Sequence, residues 1–178
     1  MIAQAAAHDE AVDFRALRFA WLTSTARKRA SDNALAAANQ TLATASQRNT
    51  PAAMRDAAIG VLSLDYTDAG AQLSLVLACR ALHDQACETQ AQFVEQGMVK
   101  SILHDGDGES CDTGWAVTAA REEAFVLGIF TDRGSRQTQV TSAAGHTCDA
   151  VTITRLGQPN EVYFRIDAVL EDEAGHNK

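Results

Sequence analysis

The sequence has no apolar run approaching the roughly 20 residues that a bilayer-spanning helix needs, so none of its segments qualifies as one. It is also short of positive charge: 15 Lys and Arg face 23 Asp and Glu, for a net charge of -8. A surface of that sign repels phosphate backbones and anionic lipid heads, which excludes nucleic acid and membrane insertion and favours a basic protein partner. Catalytic signatures are missing as well. Histidines 8, 83, 104, 146 and 176 show no metal-ligand spacing, and neither HExxH nor paired CxxC occurs. No G-x-S-x-G supplies a serine nucleophile, and Gly106 and Gly108 sit among acids that would repel a phosphate. No cofactor and no metal are expected.

What is present begins with bulk. A chain of 178 residues with 46% apolar content can bury a core of its own as one domain. Ala3-Gln4-Ala5, followed by Ala6-Ala7-His8-Asp9-Glu10, has the A-x-A form of an export cleavage site, so residues 1–8 read as a signal-peptide remnant or a disordered start. Four cysteines allow three pairings. Cys79 and Cys87 flank a turn at His83-Asp84, whereas Cys111 and Cys148 each precede an Asp at the start of a strand-like run. Those positions predict Cys79 with Cys87 and Cys111 with Cys148; four buried thiols is the alternative.

Apolar periodicity divides residues 9–170 into a helical part, 9–100, and a sheet-rich part, 101–170. Phe14, Leu17 and Trp21 mark a helix over 9–29. Ser31 or Asp32 caps a second, with Leu35, Ala38 and Leu42 on one face. Thr50 before Pro51 is a capping hydroxyl ahead of a first-turn proline, and Met54, Ala58, Val61 and Leu62 form the third helix's stripe. Thr67 or Asp68 opens a fourth, and a fifth covers 85–96, where Gly97 signals a stop or kink before a further helical turn or a first strand over 98–103. Strands are expected over 115–119, 137–142, 150–155 and 162–169, a helix over 121–130, and a hairpin turn at 157–160. The fold class is therefore α+β: N-terminal antiparallel helical hairpins, then a small antiparallel sheet with one helix, ending in a disordered tail over 171–178.

Chemistry concentrates in residues 101–125. Asp105-Gly106-Asp107-Gly108-Glu109 alternates carboxylates like a calcium loop, but Ser110 and Ala116 stand where an EF-hand starting at Asp105 needs its glycine and its closing glutamate. A glycine turn braced by aspartate explains the pattern without an ion. Glu122 and Glu123 suit a helix N-terminus; adjacent on a helix, they point about 100° apart and cannot flank one substrate bond. A special role falls to one of them, buried and bonded to backbone or to an arginine such as Arg18. Cys148, near His146, reads as a disulfide partner rather than a catalytic thiol.

Asp13-Phe14 with Leu17-Arg18, Tyr66-Thr67-Asp68, Ser101-Ile102 leading into Gly106-Asp107-Gly108 and Ser110, Glu122-Glu123, Asp149, and the run Val162-Tyr163-Phe164-Arg165-Ile166-Asp167 occur in this order. In that order the chain resembles a family of exported bacterial proteins known as domain of unknown function 4919. It departs from the family pattern at Thr113-Gly114-Trp115 and at Ala124-Phe125. The resemblance implies a helical part similar to tetratricopeptide hairpins, without their repeat period, followed by an α+β part; it implies no catalytic residue. The expected function is a non-enzymatic periplasmic or secreted module that binds another protein, in its most concrete form an immunity protein neutralising a toxin. The alternative is a secreted effector or hydrolase using Asp105, Asp107 and Glu122 or Glu123.

Overall fold

The structure, a computed structural model, describes residues 1–25, 27, 32–129, 136–155 and 157–176. Its class is α+β, with eight helices and a four-stranded sheet among the described residues. The chain divides into two compact units, Met1–Met98 and Val99–Lys178.

In the first unit, α1 (Ile2–Ala6) occupies the stretch read from the sequence as a signal remnant or disordered start. Ala5 is wholly buried, and its carbonyl accepts Gln90 Nε2 at 2.7 Å. Helix α2 (Phe14–Leu22) is shorter than the expected 9–29 because Asp13, not the earlier acids, starts it. The Asp13 carboxylate accepts Ala16 N at 2.8 Å, while Asp9 is engaged upstream in its own turn with Ala11 N at 2.9 Å. Leu17 and Trp21 are buried as the periodicity implied, and Arg18 is fully buried too.

Then come α3 (Asp32–Gln47), α4 (Pro51–Leu64), α5 (Ala69–Ala81) and α6 (Gln85–Leu103), joined by turns short enough to make neighbours antiparallel. Ser31, one candidate cap, lies outside the described residues. Leu35, Leu42, Ala58, Val61 and Ala71 form the core of α3 to α5. Thr50 stands at the N-cap of α4 ahead of Pro51, but its hydroxyl turns back to Arg48 O at 3.4 Å and caps nothing. Asp68 does cap α5, accepting Ala71 N at 2.9 Å. The α5–α6 turn places His83 at φ 58° and is closed by the Cys79–Cys87 disulfide, by Asp84 accepting Cys87 N at 3.1 Å, and by Arg80 Nε on Glu88 Oε1 at 2.7 Å.

Gly97 neither stops nor kinks α6, which runs through to Leu103, so 98–103 is helix and not strand. The glycine is there for room. The Phe14 ring lies where a Cβ at residue 97 would go, and it meets Phe93 edge-on at 5.5 Å, while His8 stacks on Phe93 at 4.0 Å.

The second unit contains β1 (Trp115–Ala116), α7 (Ala120–Ile129), β2 (Arg136–Thr141), β3 (Thr147–Arg155), β4 (Gln158–Arg165) and α8 (Asp167–His176). The sheet order is β1-β4-β3-β2 and the sheet is mixed, where an antiparallel one was expected. Two hairpins make β2 and β4 run the same way. The crossover through α7 returns the chain in the direction of β1, so β1 pairs parallel to β4, Trp115 opposite Phe164.

Several boundaries shift: the strand expected over 115–119 ends at Ala116, that over 137–142 runs Arg136–Thr141, and that over 150–155 starts earlier, at Thr147. Arg155 pairs with Gln158, so the turn closes around Gly157 at φ 77°, and Pro159 and Asn160 lie within β4. Pro159 is tolerated because, among the described residues, β1 pairs only with Phe164 and Arg165 and that end of β4 is open on one side. The strand expected over 162–169 stops at Arg165, and Asp167 opens α8, which occupies most of the expected tail. The helix expected over 121–130 runs Ala120–Ile129; residue 130 lies outside the described residues. Val151, Ile153, Val162 and Phe164 alternate along β3 and β4 to face one core with Ile102, Trp115, Val117, Val126 and Ile166.

Helix propensity alone says that Gly→Ala stabilises by up to about 1 kcal/mol. Gly60→Ala, where nothing lies within 4 Å of the new methyl, follows that rule and raises Tm by a few degrees. Gly97→Ala reverses it, losing about 1–3 kcal/mol as the Phe14 ring is displaced, so thermal unfolding of the two variants moves in opposite directions.

Candidate functional site

Between α6 and β1 the glycine-rich loop is closed by its own hydrogen bonds. Asp107 Oδ1 accepts Glu109 N at 2.9 Å and Thr113 Oγ1 at 2.6 Å, and Thr113 O accepts Asp107 N and Gly108 N at 3.0 Å each. The Thr113 hydroxyl, then the Glu109 N–H, hold the Asp107 carboxyl below its ordinary range, since both bond its charged form. Gly106 is required because a Cβ would strike the Thr113 carbonyl, and Gly108, at φ 73°, because the Trp115 ring lies 2.9 Å from where its Cβ would be.

The loop is fastened to the sheet at β1 and β4. Trp115 Nε1 donates to Gly106 O at 3.1 Å, Tyr163 N to Gly108 O at 2.9 Å, and Arg165 Nε to Gly114 O at 3.0 Å. The Cys111–Cys148 disulfide, with Cα atoms 5.7 Å apart, ties the same loop to β3. Tyr163 turns its hydroxyl to Glu161 Oε2 at 2.8 Å. Among the described residues no group of three or more His, Cys, Asp or Glu is placed to hold a metal ion.

Both glutamates of α7's first turn are buried, but in different settings. Glu122 is 3% exposed and accepts Thr118 N at 2.7 Å and Thr118 Oγ1 at 2.9 Å, so both its oxygens are engaged. Glu123 is 4% exposed and points to the β2–β3 hairpin. There, Gln137 Nε2 lies 3.5 Å from Glu123 Oε2 and 2.7 Å from Asp149 Oδ2, so one amide bridges two carboxyl groups. Burial pushes the Glu123 carboxyl up to about 8; the Asp149 charge, a hydrogen bond to Asp149 and the Glu122 charge add to it. At neutral pH Glu123 therefore keeps its proton and shares it with Asp149.

A further polar contact joins His146 Nδ1 to Asp167 Oδ2 at 2.9 Å, with Asp167 Oδ1 accepting Thr147 N at 2.7 Å. Cys148, beside this pair in sequence, is disulfide-bonded and offers no thiolate.

The residues singled out in the sequence thus fall into three groups. Asp13, Phe14, Leu17 and Arg18 lie on or cap α2; Gly106, Asp107, Gly108 and Tyr163 meet where the loop joins β4; Glu123 meets Asp149, with Glu122 turned to Thr118. Gln137, Thr118, Trp115 and Arg165 are the partners that sequence reasoning missed. Thr118 had a local signal, a hydroxyl four residues before a helical glutamate; Gln137 had none, since it reaches Asp149 only through strand register. In comparisons with known proteins no family model matched the chain, and neither did any curated protein or solved structure.

Glu122→Ala leaves the Thr118 N–H and hydroxyl without their acceptor in a buried place, which costs about 2–4 kcal/mol. Urea unfolding of the variant should show that loss as a lower midpoint with an unchanged slope. Calcium chloride added to the intact protein should leave Tm where a chelator leaves it, because Asp107 is already engaged within the loop.

Proposed function

We propose that the protein is an exported, non-enzymatic module of the bacterial periplasm that binds another protein, most concretely an immunity protein that neutralises a cognate toxin. One observation carries the reading: the carboxyl groups that offered themselves for chemistry are engaged in architecture. Asp107 braces a loop, Glu122 holds Thr118, and Glu123 is joined to Asp149. What remains for function is the exterior. Two disulfides support an oxidising compartment, and no helix among the described residues is long and apolar enough to cross a membrane.

The partner in this reading is basic. Most of the excess acid falls within Val99–Lys178, where Asp107, Glu109, Asp112, Glu161, Glu171 and Glu173 are exposed. Such a surface accelerates encounter with a cationic protein. On α4 and α5, Ile59 and Leu77 are half-exposed and offer apolar contact area. We also propose that the chain is a divergent member of the domain of unknown function 4919 family. Its support is the order of the shared residues together with the duties of several of them: a cap at Asp13, close approach at Gly106 and Gly108, a buried carboxyl at Glu123 bonded to Asp149.

The second reading, a secreted hydrolase acting through Asp105, Asp107 and Glu122 or Glu123, is favoured by one fact: Glu123 holds a proton near neutral pH, as a general acid does. Against it, hydrogen-bonded carboxyls are closer than the roughly 5 Å that separates the pair in retaining glycosidases, and Glu123 is nearly inaccessible.

A growth assay decides between them. Expressed in the periplasm of a bacterial host, the protein should be harmless and should rescue growth from the toxic product of the adjacent gene. Their association should weaken about tenfold or more between low and high salt, as steering by charge requires. Poisoning of the host by the protein alone, relieved by Glu123→Gln, would sink the immunity reading and favour the hydrolase.

A further inference from the structure

We propose that Glu123, Asp149 and Gln137 form a proton-dependent latch that fastens the first turn of α7 to the β2–β3 hairpin. Three elements meet in it: Glu123 comes from α7, Gln137 from β2 and Asp149 from β3. The single amide Nε2 of Gln137 reaches both carboxyls, so they are held against each other, and Glu123 is shut away from water. Two carboxylates in that position repel; a carboxyl and a carboxylate hydrogen-bond.

Among the described residues, the charges that act on Glu123 are all of its own sign: those of Asp149 and, on its own helix, Glu122. Gln137 is neutral, and Phe164 stands opposite Asp149 on β4. Arg121 and Arg136, the cations next in sequence on α7 and β2, are not the groups that set its proton affinity; Arg136 pairs opposite Thr152 and so points to the other face of the sheet from Gln137.

The pH direction follows from the proton. The folded chain keeps it on Glu123 up to about pH 8, whereas an unfolded glutamate releases it near its ordinary 4.5. Between those values the folded state binds more protons, so the latch weakens as pH rises and is open above about 8. Opening stays local, because among the described residues β2 is the sheet edge and pairs with β3 alone, while β3 is paired on both sides.

Hydrogen exchange on the full chain tests the latch, with rates corrected for the intrinsic effect of pH. From pH 7 to pH 9 the opening constant for 120–129 and 136–141 should rise about tenfold relative to 158–165, and Glu123→Gln, which keeps the shape but cannot ionise, should remove that rise. Infrared difference spectra give a second readout: a protonated carboxyl band at pH 7, lost at pH 9 and absent from Glu123→Gln. Should that variant fail to fold, Asp149→Asn should shift loss of the band to lower pH. A tenfold rise that persists in Glu123→Gln, no rise in the parent protein, or no protonated carboxyl at pH 7 would each overturn the latch.

Discussion

Burying Trp115 sets the terms for the sheet-bearing unit. Its ring lies in the core 5.7 Å from the Phe164 ring, its backbone begins the parallel pairing with β4, and its indole N–H, taken out of water, requires an acceptor. The acceptor is Gly106 O, so the loop must pass close to the indole. A loop pressed that near has no room for a side chain at Gly108 and must fold tightly enough at Gly106 to meet the Thr113 carbonyl. The alternation of glycine and aspartate that resembles a cation loop is thus dictated by an aromatic ring. Asp107 then supplies the acceptor for the N–H and hydroxyl that such a turn leaves pointing inward.

The two adjacent glutamates of α7 show two ways of making a buried carboxyl tolerable. Glu122 stays close to its own backbone and satisfies both oxygens with donors of Thr118, a solution contained within a few residues. Glu123, about 100° further round the helix, meets another acid, Asp149, and the burial becomes bearable only if one of the two remains protonated. The neighbours differ because helical rotation turns one toward the incoming loop and the other toward the sheet. Neither arrangement demands a substrate, which is why the site is better described as architecture with a proton in it.

How far the sequence discloses this depends on the distance over which each interaction acts. Pro51 and Asp68 announce helix starts because their effects are confined to one turn. Asp9 and Asp13 look equally able to cap, and only their turns decide between them. Gly97 reads as a breaker because Phe14, the ring that needs its space, is on another helix. In the sheet, alternation marks the strands, but the parallel pairing of β1 depends on where the α7 crossover returns the chain. Pro159 reads as a turn residue because nothing in the sequence says that β4 lacks a neighbour there. The meeting of Glu123 with Asp149 is least visible of all, since it requires strand register, helix docking and the reach of Gln137 together.

Charge and cross-linking belong to one balance. A net charge of -8 repels itself and destabilises the compact state, and small residues such as Ala58 and Ala71 give the helical core little area to counter it. The two disulfides act on the other side of the equilibrium, each lowering the entropy of the unfolded chain by an amount worth about 2–4 kcal/mol. Cys79–Cys87 constrains a helical turn already held by Arg80 and Glu88, whereas Cys111–Cys148 closes a 37-residue separation that includes α7 and β2, the segment joined by the proton of Glu123. That segment is therefore covalently closed at its base and held by a titratable contact further along. Its opening with pH can free α7 and β2 while β3 and β4 stay paired.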